Sequence, residues 1–190
     1  GRTAGHSLEI LECFDCLEGK GPADLRELVC LQGGEMLRLG ELVSSLDEGR
    51  SRIAAALDDG SARELFAKII AEQGGDPRCL DDRSMFARAP HIEYVKAMSD
   101  GHLAWRDLRA VGQAICELGG GRKRLGDPID ARVGLEFLVA EGARVSRGEH
   151  LIAIHHAGRG LEETHVLLNR AYELVAKHTP EPLVLASWSA

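Results

Sequence analysis

The hydrophobic residues change period partway along this chain, and that change constrains the fold more than any single motif. Near the start Ile10, Cys13, Phe14 and Leu17 recur at i, i+3, i+4 and i+7, the spacing of one face of an α-helix. Gly19-Lys20-Gly21 breaks the pattern, and Pro22 suits a first helical position, where a missing N–H loses no partner. A second stripe runs through Leu25, Leu28, Val29, Met36, Leu39 and Val43 with Gly33-Gly34 inside it. A glycine in a helix costs about 1 kcal/mol against Ala, so this pair predicts a kink or a close helix contact. Ser45 with Glu48 and Ser61 with Glu64 have capping-box spacing and predict two further helices. The first carries Ile53 and Leu57 and ends at Asp59-Gly60; the second carries Leu65, Phe66, Ile69 and Ile70 and ends at Gly74-Gly75.

Between 77 and 90 the pattern dissolves into polar residues with two prolines, the mark of an exposed connection. Beyond it Val133, Leu135, Phe137 and Val139 alternate strictly, and 151–154 and 183–185 are short apolar runs, which predicts three strands. Residues 107–118 and 161–177 keep helical spacing, the latter with Leu161, His165, Leu168, Tyr172 and Val175 on one side. The expected fold class is α+β: a helical segment over 1–76, a connection over 77–90, and an α+β domain over 91–190.

Composition narrows the function. With 190 residues, 44% of them hydrophobic, the chain can bury a core, which excludes disorder. A net charge of −7 and only 4% aromatic residues argue against nucleic-acid binding. No uncharged apolar run approaches the roughly 18 residues of a membrane span, so a soluble, cytoplasmic protein with no membrane partner is expected. Five cysteines at irregular positions fit a reducing compartment rather than a disulfide framework. The first residue is Gly1, a few positions before a helix, which leads us to expect that the chain is part of something longer.

Several small motifs read as structural. Cys13-Phe14-Asp15-Cys16 is formally C-x-x-C, but no second pair completes a zinc site, no strand precedes it, and Cys13 falls on the apolar stripe expected to be buried. Gly119-Gly120-Gly121-Arg122-Lys123-Arg124 could cradle an anion, yet it follows a helix, where Gly caps and cations meet the negative dipole end. His155 and His156, adjacent on a strand, must face opposite ways and cannot share a metal; one is expected buried and the other solvated. His165 reads as a core histidine. Glu9 suits the positive end of the first helix, while Glu12 lies one turn in, close to a loop whose carbonyls could complete an all-oxygen site for a hard cation. No catalytic nucleophile can be named.

The stretch Gly5-His6-Ser7-Leu8-Glu9-Ile10-Leu11-Glu12, followed by Gly19-Lys20-Gly21-Pro22-Ala23-Asp24-Leu25, resembles the thymidine phosphorylase and pyrimidine-nucleoside phosphorylase family. So do Ala55-Ala56-Leu57-Asp58-Asp59-Gly60-Ser61, Ala71-Glu72-Gln73-Gly74-Gly75-Asp76-Pro77, Leu118-Gly119-Gly120-Gly121-Arg122 and Asp127-Pro128-Ile129-Asp130, in the family's order; the first of these and the Gly-His pair look most like the animal-type enzymes. The resemblance implies the C-terminal portion: helices from a larger α/β domain, then an α+β domain with a β-hammerhead motif. It implies a pentosyltransferase, a homodimer when intact, that uses phosphate to split a pyrimidine nucleoside, thymidine giving thymine and 2-deoxyribose 1-phosphate. The family's phosphate loop, active-site His and pyrimidine-holding Arg/Ser/Lys cluster precede the segment resembling Gly5. This chain would therefore carry no catalytic residue, would be inactive alone, and would need the N-terminal portion of the same enzyme as its partner. No cofactor is required, but bacterial members hold a monovalent cation resembling potassium, which assigns Glu12 as a carboxylate ligand and Thr3 as a carbonyl donor; Thr3 replaces their usual small apolar residue. The alternative is a non-catalytic protein-binding module of the same fold.

Overall fold

A computed structural model describes residues 1–186. They form two compact units, one of residues 1 and 10–85, the other of residues 2–9 and 86 onward.

The first unit is helical. Helix α1 (His6–Leu17) contributes its later turns, followed by α2 (Ala23–Leu39), α3 (Leu46–Asp58) and α4 (Ser61–Glu72). The Gly33-Gly34 expectation resolves as a close contact rather than a kink, since α2 runs unbroken through the pair. A Cβ added to Gly34 would lie 2.7 Å from the Arg50 backbone N, and one added to Gly49 would lie 2.5 Å from the Gly34 carbonyl O. The two helices therefore cross with backbone nearly against backbone, a separation that no larger residue permits. This contact overturns the expected burial on α2. Cys30 and Gly34 are buried, whereas Met36 and Leu39, on the apolar stripe, are 73% and 69% exposed. On α1 only Phe14 is fully buried, meeting Phe66 of α4 edge-on at 6.1 Å, and Cys13 is exposed rather than buried.

Ser45 caps α3 as expected, its hydroxyl accepting from the Glu48 N–H at 3.2 Å, while the Glu48 carboxylate turns back to Ser44. Ser61 does not cap α4. Gly60, at φ 82°, stands at the cap, and the Asp59 carboxylate accepts from the Ser61 N–H at 2.8 Å. Residues 77–85 hold short 3-10 turns at Pro77–Leu80 and Arg83–Met85. Arg83 returns to α1 with ion pairs to Asp15 at 2.6 Å and Glu18 at 3.2 Å.

The second unit mixes sheet and helix, in agreement with the α+β expectation. One antiparallel sheet orders β1 (Thr3–Ala4), β4 (Gly134–Phe137), β6 (His150–His156) and β2 (His91–Lys96) as β1-β4-β6-β2. A smaller sheet orders β5 (Arg144–Val145), β3 (Gly101–Trp105) and β7 (Tyr172–Val175) as β5-β3-β7. Helices α5 (Leu108–Leu118) and α6 (Leu161–Ala171) pack on each other and complete a core with Leu103, Leu118, Leu135, Ile152, Ile154 and Leu168. The alternation at 133–139 and the run at 151–154 thus become β4 and β6. Two expectations fail. The helix over 161–177 stops at Ala171 and its last residues form β7, and 183–185 is no strand but exposed irregular chain.

Among the described residues no helix is long and apolar enough to cross a membrane.

Candidate functional site

Thr3 and Glu12 fall in different units. Thr3 lies on edge strand β1 opposite Glu136. The Phe137 N–H donates to the Arg2 carbonyl at 2.7 Å, so Thr3 occupies a non-hydrogen-bonded position of the β1/β4 pair and its own carbonyl faces away from β4. Glu12 lies mid-α1 with its carboxylate against the chain start, Oε2 falling 2.9 Å from a Cβ built on Gly1. Both positions present oxygen, the donor type a hard cation takes. The close approach that places β1 depends on glycine: Gly5, at φ 127°, would put a Cβ 2.7 Å from the Gly134 Cα. The Gly5 N–H donates to Glu9 Oε1 at 2.8 Å, so Glu9 closes the start of α1 as its dipole position suggests.

The glycine-rich loop after α5 is a cap. Gly119, at φ 98°, ends the helix, and the Gly119 and Gly120 N–H groups donate to the Cys116 and Ile115 carbonyls at 3.1 and 2.9 Å, a Schellman arrangement. The amides an anion would need are engaged internally, since Asp127 Oδ2 accepts from Lys123 N and Arg124 N at 3.1 and 2.8 Å. Lys123 pairs with Glu117, and Arg132 grips Asp130 at 2.8 and 2.7 Å. The Arg132 hydrogen bond holds the Asp130 carboxyl below its ordinary value.

All five cysteines are free thiols. Burial, with Cys13 and the Glu12 and Asp15 carboxylates nearby, pushes the Cys16 thiol up; that is the reverse of what an attacking thiolate requires. Among the described residues no three His, Cys, Asp or Glu side chains converge as a metal would need.

His155 and His156 do face opposite sides of β6, but the expectation that one is solvated fails. Their side chains are 15% and 6% exposed, and both Nε2 atoms are buried without a hydrogen-bond partner among the described residues. Glu136 lies 3.6 Å from His155 on one face; Glu93 lies 4.0 Å from His156 on the other. His165, expected in the core, is half-buried with Nε2 3.5 Å from Glu93. The sequence analysis missed this second grouping, because the alternation His91-Ile92-Glu93-Tyr94 is short and the single buried residue of β2, Val95, falls out of phase with it.

Residues 104–175 match the model of the pyrimidine nucleoside phosphorylase C-terminal domain, which covers most of the α5/α6 core. The chain is 38% identical over 188 residues to thymidine phosphorylase from Homo sapiens, an alignment covering 90% of this chain and 39% of that protein. It is 39% identical over 155 residues to pyrimidine-nucleoside phosphorylase from Geobacillus stearothermophilus, covering 82% and 36%. The Staphylococcus haemolyticus pyrimidine-nucleoside phosphorylase is 35% identical, covering 97% and 42%. Over most of its length the chain is similar to thymidine and pyrimidine-nucleoside phosphorylases, consistent with a C-terminal portion of such a protein. It spans about two fifths of the length of the curated relatives it matches.

Proposed function

We propose that this chain is the supporting part of a thymidine phosphorylase, whose whole form uses phosphate to split thymidine into thymine and 2-deoxyribose 1-phosphate. Such a reaction needs phosphate held beneath the sugar, cations against its charge, and donors for the pyrimidine that leaves as C1′ becomes cation-like. In the family those groups precede the segment resembling Gly5. In this reading the helical unit extends the α/β phosphate domain, the mixed unit carries the hammerhead portion, and the chain supports the wall that moves toward the bound base. The reading extends to a cytoplasmic homodimer of the whole enzyme. The observation that carries it is the alignment with thymidine phosphorylase across 90% of the chain. The purified chain alone is expected to produce no thymine from thymidine and phosphate, and to regain activity with the N-terminal portion of the enzyme. Appreciable turnover by the chain alone would overturn the assignment.

A stand-alone protein-binding module would cover its own apolar residues. A part of a larger enzyme would instead expose an apolar surface from Ile10, Phe14 and the second helix; the exposure of Ile10 and of Met36 and Leu39 on α2 supports that reading, while Phe14 is fully buried in this unit's own core.

Thr3, through its carbonyl, and Glu12, through its carboxylate, are assigned to the family's monovalent-cation site. A bound potassium ion would supply positive charge that fixes the chain around them, without taking part in bond cleavage. Thermal unfolding in potassium chloride against choline chloride at equal ionic strength tests this. A higher Tm with potassium, absent in Glu12→Gln, is expected; equal Tm values in both salts reject the site.

A further inference from the structure

The Glu93 grouping belongs to neither the proposed cation site nor any phosphorolysis step. The strand face that carries Ile152 and Ile154 into the core continues to His156. The imidazole there is buried, and its Nδ1 accepts from the Gly158 N–H at 3.2 Å. A ring nitrogen that accepts bears no proton, so the neutral ring carries its hydrogen on Nε2. That N–H has no hydrogen-bond partner among the described residues, and Glu93 Oε1 stands 4.0 Å away. A buried donor with no acceptor is costly. A metal does not explain the arrangement, because the nitrogen facing the carboxylate holds the proton.

The titratable groups around the ring come from two elements. Strand β2 contributes Glu93 and His91, whose ring centroid is 5.4 Å from that of His156; helix α6 contributes His165, 3.5 Å from the other Glu93 oxygen. His155 faces the opposite side, toward Glu136, and Glu117 at the end of α5 is engaged with Lys123. The carboxylate thus sits between two imidazoles with a third alongside. A second proton on His156 can enter only at Nδ1, where it would confront the Gly158 N–H, two donors facing each other. Gly158 and Gly160, at φ 85° and 64°, shape the short turn between β6 and α6.

We propose that His156 is a proton-operated latch: neutral, it pins the Gly158 amide and the turn into α6; protonated, it releases that amide and turns toward Glu93.

Amide hydrogen exchange and the ring-nitrogen NMR signals of the whole chain, followed from pH 8 to pH 5.5, test the latch. Gly158 protection, corrected for the intrinsic pH dependence of exchange, is expected to fall by about tenfold across the titration of the His156 ring. In His156→Gln, whose side-chain oxygen accepts without titrating, protection should stay constant. Protection that is constant in the unaltered chain, or that falls equally in His156→Gln, overturns the proposal.

Discussion

Glu41 shows at the scale of one residue how a local rule can be broken without a visible signal. Helix α2 ends with the Leu42 N–H donating to the Leu37 carbonyl at 3.0 Å and the Glu41 N–H to the Arg38 carbonyl at 3.1 Å. That pattern needs a left-handed residue at Glu41, which has φ 56° and is the only non-glycine with positive φ among the described residues. The sequence offers Gly40 one position early, where φ is −81° and a glycine gains nothing. Glu41→Gly should therefore stabilise the chain by about 1 kcal/mol, the cost of holding a side chain in the left-handed region, measured as a higher urea midpoint with unchanged slope. A lower midpoint would mean that Glu41 makes an offsetting contact. Histidine burial had the same opacity: strand alternation separated His155 from His156, but the packing that buries both was not encoded in either neighbour.

The elements divide by how far apart their determinants lie in the chain. Helix α3 was legible because its Ser45 cap and its apolar spacing are local, and α5 because its apolar spacing is. The end of α6 was not. Residues 172–175 keep a helical apolar pattern, yet pairing with β3 places Tyr172 opposite Trp105 and Leu174 opposite Leu103, and this tertiary choice overrides the local one. Strand β2 escaped for the related reason that it is a mostly exposed edge strand, buried only at Val95. The glycine pair in α2 was readable as either a kink or a close helix contact, and only the structure selects the contact. Its strength can be measured. In Gly34→Ala the gain in helix propensity, about 1 kcal/mol, should be outweighed by separation of α2 from α3, because the new methyl meets backbone N at 2.7 Å rather than a yielding side chain. A net loss of about 1–3 kcal/mol is expected, seen in chemical unfolding. A neutral or stabilising Gly34→Ala would show that the crossing can open freely.

At the scale of the whole molecule, the family resemblance was legible through several ordered motifs, while no catalytic residue was legible; the proposed function assigns the catalytic apparatus to an N-terminal portion of the enzyme. The helical unit offers a way to test that division without any assay of chemistry. Met36 is 73% exposed on α2, so Met36→Lys removes little buried area and should alter the stability of this chain by no more than about 0.5 kcal/mol. If the N-terminal portion of the enzyme covers that surface, the same lysine must be desolvated on assembly or keep the two parts from closing over it. Met36→Lys should then leave the unfolding transition of the isolated chain in place yet weaken its association with the N-terminal portion, measured by calorimetry, at least tenfold, or about 1.4 kcal/mol. An exposed conservative control, Arg52→Lys on α3, should leave association unchanged. Equal binding by Met36→Lys and the unaltered chain would place the contact elsewhere on the helices, and a destabilised isolated chain would mean that the methionine already serves this unit's own packing.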